Sequence, residues 1–104
     1  MKRGEVWWAN LPPPVGRRPV LLLSRNSAYA VRSLISIAPI TRTVRDIPVE
    51  VPLGSADGLP RPCVVNCDSI ATISKALLTE RIAVLSPAKL AAVNAAIRFA
   101  LSIP

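Results

Sequence analysis

Two short segments of this 104-residue chain carry the residue types that phosphate chemistry uses. The first is Gly16-Arg17-Arg18-Pro19 at the entry to an apolar run, where a rigid flank holds Arg18 while Arg17 stays mobile. The second is Pro39-Ile40-Thr41-Arg42-Thr43, which offers two hydroxyls and a guanidinium within three residues. Each also has a plainer reading, as a solvated arginine pair and as a Thr-rich strand end. The chain has no histidine, which removes Ser-His-Asp and Cys-His nucleophile pairs, paired-histidine acid and base, and histidine metal ligands. Its 6 acids are scattered, with no cluster resembling a two-metal site. Any catalysis must then rest on arginine electrostatics. RNA cleavage permits that, because the 2′-hydroxyl of the substrate is its own nucleophile and the protein need mainly orient it and stabilise the phosphorane oxygens.

The charge distribution points the same way. With 13 basic and 6 acidic residues the net charge is +7. Residues 1–46 hold eight bases against Glu5 and Asp46, and the rest of the chain holds five bases against four acids. Ten of the bases are Arg, whose planar fork suits bidentate phosphate contacts. A polyanionic partner is the expectation, nucleic acid or an acidic peptide, with Arg17, Arg25, Arg42 and Arg45 as phosphate contacts along a groove.

These residues need a scaffold, and the length allows one domain, 1–104, with one core. The composition is 51% hydrophobic with mean hydropathy +0.42, too apolar for a disordered segment. No apolar stretch is long enough to span a membrane, and Met1 to Arg3 leads into Glu5 without the apolar core of a signal peptide. The expectation is a soluble, cytoplasmic protein. Cys63 and Cys67 lie on one extended run, too far apart for a bridge, and read as reduced, partly buried thiols. With no histidine and two cysteines, neither a structural zinc nor another cofactor is expected.

Strand signals dominate the first two thirds. Gly4–Ala9 contains Trp7 and Trp8 on opposite faces, one for the core and one for a base or a dimer contact. Pro19–Ser24 and Leu34–Ile40 are apolar runs of strand length, and Asn26–Ser33 has room for a helical turn. Ile47–Leu53 alternates Val49, Val51 and Leu53 against Pro48, Glu50 and Pro52, an edge-strand pattern. Cys63–Asn66 and Ile70–Ile73 form a strand pair or one bent strand, and Arg81–Leu85 is a last strand. A helix follows, with Ser86 as N-cap, Pro87 at N1 and a stripe of Leu90, Val93, Ile97 and Leu101, while Phe99 and Ile103 lie off that stripe toward a second surface. The sum is a mostly β, α+β fold: a small antiparallel barrel-like sheet with appended helices.

Taken in order, these segments resemble the MazF/PemK family of toxins from type II toxin-antitoxin systems. The resemblance is carried by Arg3-Gly4-Glu5-Val6-Trp7, the run Gly16 to Ser24, Ala38-Pro39-Ile40-Thr41, and Cys63-Val64-Val65-Asn66 leading into Asp68 to Ile73. Leu77 to Ile82 and Leu85-Ser86-Pro87 to Ile103 complete it. It implies an SH3-like barrel that dimerises and cuts single-stranded RNA at short motifs without a metal. Arg18 matches the family's catalytic arginine, for proton handling or transition-state charge, and Thr41 the strand-end threonine that hydrogen-bonds the scissile phosphate. Thr43 and Ser69 join the RNA-binding set. Members often carry Gln where this chain has Ser69, so no cleavage sequence is carried over. The short Asn10–Arg17 loop reshapes the groove. The resemblance also implies a cognate MazE-like antitoxin whose acidic, disordered tail competes for the basic half. Two other readings stand beside this one. One is a CcdB-like toxin acting on a protein target, although this chain lacks a C-terminal Trp-Gly-Ile. The other is an RNA-binding barrel without catalysis.

Overall fold

Alternating apolar residues fold the chain into seven strands that form one curled antiparallel sheet, as seen in a computed structural model describing residues 1–104. The strands are β1 (Glu5–Asn10), β2 (Arg17–Leu22), β3 (Leu34–Thr41), β4 (Glu50–Leu53), β5 (Cys63–Asn66), β6 (Ala71–Ser74) and β7 (Leu78–Val84). A single helical turn, α1 (Ala28–Val31), precedes β3, and α2 (Pro87–Leu101) closes the chain. The strand order is β4-β5-β3-β2-β1-β7, with β6 also paired to β3. No helix is long and apolar enough to cross a membrane.

The segment read as a strand pair or one bent strand is neither, but two strands that share a neighbour. β5 and β6 do not pair with each other but lie end to end along one edge of β3, Ile40 facing Val65 and Ile37 facing Ala71. The three residues Cys67–Ser69 leave that line as a 3-10 turn, which Asn66 caps by accepting the Asp68 amide at 3.0 Å. The edge-strand expectation for the proline-rich segment also holds, although only Glu50–Leu53 pairs. Val49, Val51 and Leu53 turn inward, and Pro52 is exposed at the end of the sheet.

Curling brings the inner faces of β1 to β5 onto one core of Val6, Leu21, Ala38, Ile40, Val51 and Val65, among others, and α2 lids it with Val93 and Ala96. The helix begins as its sequence dictates, Ser86 Oγ accepting the Lys89 amide at 3.2 Å with Pro87 in the first turn. Its stripe departs from the expected one. Leu90, Val93, Ala96, Ile97 and Ala100 face the core, while Leu101 is 57% exposed, because in the last turn Ala100 takes the inward position. Phe99 and Ile103 are likewise exposed. The opposite sheet face carries a second cluster of Ala9, Val20, Leu22, Tyr29, Ile35 and Ile37, against which Trp7 packs. The apolar runs of β2 and β3 are thus covered on both sides.

Two local devices hold the curl. Gly58, in the turn after β4, has φ +89, and a Cβ built there would lie 3.0 Å from Ala83 Cβ on β7, so the two distant parts of the sheet touch through a glycine. Glu5 is buried and accepts the Trp7 indole N–H at 2.9 Å, with the Arg81 guanidinium 3.6 Å away. Burial pushes its carboxyl upward, but the indole, a backbone hydrogen bond from Lys2 and the nearby positive charges outweigh that, leaving it below the usual value of 4.5.

Gly58→Ala should cost roughly 1–3 kcal/mol through its positive φ and lower the Tm by several degrees, whereas Gly54→Ala, with open space around the added methyl, should leave it nearly unchanged. A thermal melt decides this. Because the Glu5 pKa is depressed, its contribution is present above pH 4.5 and is lost as pH falls below that value. Melts across this range should show wild type losing more stability than Glu5→Gln, whose acid limb is flatter.

Candidate nucleic-acid cleft

The C-terminal end of β3 and the N-terminal end of β2 lie side by side, since the two strands run antiparallel with Val20 opposite Pro39. The two basic segments are therefore brought together although 20-odd residues separate them. Gly16, with φ +69, turns the chain into β2 and delivers Arg17 and Arg18 to this rim. Two adjoining clefts open there. The wider, about 520 Å³, is lined by Trp8, Arg17, Arg18, Pro19, Thr41, Arg42, Thr43 and Arg61, with Leu59, Pro60 and Ile82 on its walls. The narrower, about 200 Å³, has no hydrophobic lining and includes Arg45, Glu50, Asn66 and Ser69. Only Arg18, Thr41 and Thr43 border both.

That junction is organised for an anion. Arg18 is half-buried and takes part in none of the ion pairs of the fold, so its fork of donors is open. Thr41 Oγ1 accepts the Thr43 amide at 3.2 Å, which fixes the hydroxyl oxygen and leaves its proton to donate outward. Glu50, the one carboxylate in the narrow cleft, is occupied by the backbone amides of Arg45 and Asp46 at 2.9 and 3.0 Å, so it shapes the loop after β3. Asn66 donates its side-chain N–H to Ser69 Oγ at 3.2 Å, holding that exposed hydroxyl at the edge of the narrow cleft in the turn between β5 and β6.

Of the residues expected at the site, Arg17, Arg18, Thr41, Arg42, Thr43, Arg45 and Ser69 line these clefts. Arg25 does not. It sits beyond the opposite end of β2, in the turn before α1 where Asn26 accepts the Arg3 amide at 2.7 Å, and counting charges along the chain could not reveal that reversal. Arg61, Asn66 and Trp8 were not singled out as binding residues. Arg61 lies between Pro60 and Pro62, a stiffened turn whose position depends on the curl of the sheet. Of the tryptophans, Trp7 faces the second cluster and Trp8 the wide cleft, with the Arg17 guanidinium 4.2 Å from its ring centroid.

Cys63 belongs to the wall of the wide cleft but is 7% exposed, and its thiol is raised by burial and by Asp57. Burial, with Asp68, pushes Cys67 up to about 11. Both are free and remain protonated thiols at neutral pH.

Residues 2–101 match the family model of the PemK-like, MazF-like toxins of type II toxin-antitoxin systems. The chain is similar to a probable endoribonuclease MazF5 of Mycobacterium tuberculosis, 38% identical over 99 residues, covering 94% of this chain and 90% of that protein. Among solved structures it is similar to the Mycobacterium tuberculosis toxin MazF-mt6, with a TM-score of 0.89, 34% identity and coverage of 96% and 98% of the two chains. It is also similar to a mycobacterial endoribonuclease solved in complex with its cognate antitoxin, with a TM-score of 0.88, 30% identity and coverage of 100% and 97%.

The thiol chemistry is directly measurable. In native protein at about pH 8, iodoacetamide should leave Cys63 and Cys67 unmodified over a time in which both react in denaturant, as read by intact mass. Rapid native alkylation of Cys63 would mean the cleft wall opens readily.

Proposed function

Since the chain belongs to the PemK-like, MazF-like toxin family, we propose that it is a sequence-specific endoribonuclease that cleaves single-stranded RNA without a metal ion and is held in check by a cognate antitoxin. The observation that carries this is the junction of the two clefts, where an unpaired arginine and a pre-fixed hydroxyl face the same space. A phosphodiester seated there receives the Arg18 fork on its non-bridging oxygens and a hydrogen bond from Thr41. The flanking nucleotides run one into each cleft. Arg17, Arg42, Arg45 and Arg61 take the neighbouring phosphates, and Ser69 and Asn66 offer donors and acceptors to a base edge.

The chemistry follows from that seat. The substrate 2′-oxygen attacks phosphorus, the P–O5′ bond breaks, and the products are a 2′,3′-cyclic phosphate and a 5′-hydroxyl. One proton leaves the 2′-hydroxyl and one reaches the 5′-oxygen, so no water is consumed. Negative charge grows on the phosphorane oxygens at the transition state, where Arg18 is held by the rim of β2 and Pro19. Arg18 also handles protons at this centre, while Thr41 keeps the phosphate in line.

The chain acts in the cytoplasm as a homodimer, a reading supported by exposed apolar side chains such as Val31 and Leu34. Its antitoxin is MazE-like, with an acidic, disordered tail laid over the same arginines that bind RNA. The relative solved with its cognate antitoxin supports that partner class.

Purified protein incubated with a mixed RNA pool in EDTA should give discrete cuts with 5′-hydroxyl ends. Arg18→Ala and Thr41→Ala should each slow cleavage roughly 100- to 1,000-fold, the scale for loss of one transition-state donor. Arg25→Ala, outside the clefts, should cleave at the wild-type rate. Bound but intact RNA would favour a non-catalytic binding module, and no RNA binding a protein-directed toxin.

A further inference from the structure

Resting on that reading of the cleft, we propose that Trp8 is the stacking platform for one nucleobase beside the scissile phosphate. In the free protein the platform is covered by Arg17, and Glu80 holds the cover in place. Trp8 is the one aromatic side chain in either cleft, and the narrow cleft is lined by polar and charged residues with Pro39. A base leaving the Arg18–Thr41 junction on the wide side therefore meets the indole, flanked by Pro19, its partner across β1 and β2, and by Ile82 on β7.

That face is taken in the free protein. The Arg17 guanidinium lies 4.2 Å from the ring centroid, where a stacked base would lie. Glu80 is the register partner of Trp8 across β1 and β7, and its Oε2 is 4.0 Å from Arg17 Nη2. The carboxylate thus occupies the place of a phosphate, pinning the arginine over the ring in the absence of RNA.

The cover is built to be displaced. The Arg17 and Glu80 side chains are 54% and 71% exposed, so water and salt weaken their pair. An incoming strand offers Arg17 a phosphate in exchange for Glu80, and offers the indole a base in exchange for the guanidinium. A ligand without a base cannot complete the second exchange. Glu80 is a positioning residue in this scheme and tunes affinity by setting how readily Arg17 leaves.

The test uses full-length protein in which Trp7→Phe leaves Trp8 as the sole indole. A 2′-O-methyl oligonucleotide spanning a mapped cut, unable to react, is titrated against Trp8 emission, together with versions abasic at each flanking position. Emission should change on saturation, and one abasic position should abolish the change and weaken binding about tenfold or more. Glu80→Gln should tighten binding about threefold, a gain absent in the Arg17→Ala background. Unaltered Trp8 emission at saturating RNA overturns the platform, as does Trp8→Leu that folds and keeps wild-type affinity. An unchanged affinity of Glu80→Gln overturns the cover. Intact RNA in the mapping experiment overturns the cleavage reading and this one together, whereas discrete cuts with silent Trp8 overturn the platform alone.

Discussion

Strand β3 is paired along both edges, to β2 on one side and to β5 and β6 on the other, and that double pairing brings together the groups at the junction of the two clefts. The β2 side puts the arginine pair beside Thr41. The β5 side puts Asn66 and Ser69 below it. A one-residue slip of β3 against either neighbour would send Thr41 to the other face and empty the junction. Burial guards against that slip, because Ile35, Ile37, Ala38 and Ile40 are packed on the two sheet faces, and exchanging them would place apolar side chains in water.

On this frame the electrostatics are simple. Arginines surround the clefts, and the nearby carboxylates are engaged without neutralising the junction: Glu50 by backbone amides, Glu5 by an indole and Arg81, Asp57 by the Gly54 amide. The Arg18 fork remains open to an anion. An exposed arginine loses much of its attraction to water and salt, whereas one held half-buried at a cleft wall keeps more of it. This distinguishes Arg18, which borders both clefts, from the exposed Arg42 of the wide cleft and Arg45 of the narrow one.

What could be read from the sequence was mostly what is local. The Ser86 cap, the proline after it and the alternation of Val49, Val51 and Leu53 depend on neighbours a few residues away, and they appear as expected. The family resemblance added the SH3-like barrel and the joint roles of Arg18 and Thr41, which no local pattern supplies. The misreadings are positional. Leu101 continues the apolar period of α2, but in the last turn Ala100 faces the core instead. Arg25 shares its charge with Arg17 but lies beyond the other end of β2. Arg61 needed the curl of the sheet, and the choice between Trp7 and Trp8 needed to know which face of β1 looks into the cleft.

The first strand closes against the last. β1 pairs with β7, Leu85 donates its amide to the Gly4 carbonyl at 3.0 Å, and the Arg3 guanidinium reaches Asn94 on α2 at 2.7 Å across 91 residues of sequence. Trp8 and Ile82, on opposite sides of that seam, are both walls of the wide cleft. A nascent chain leaving the ribosome thus carries most of its arginines out early but has no complete cleft until β7 has emerged. The machine that makes this chain is itself built of RNA, and the wide cleft has all its walls only after β7 has followed β1 out by some seventy residues.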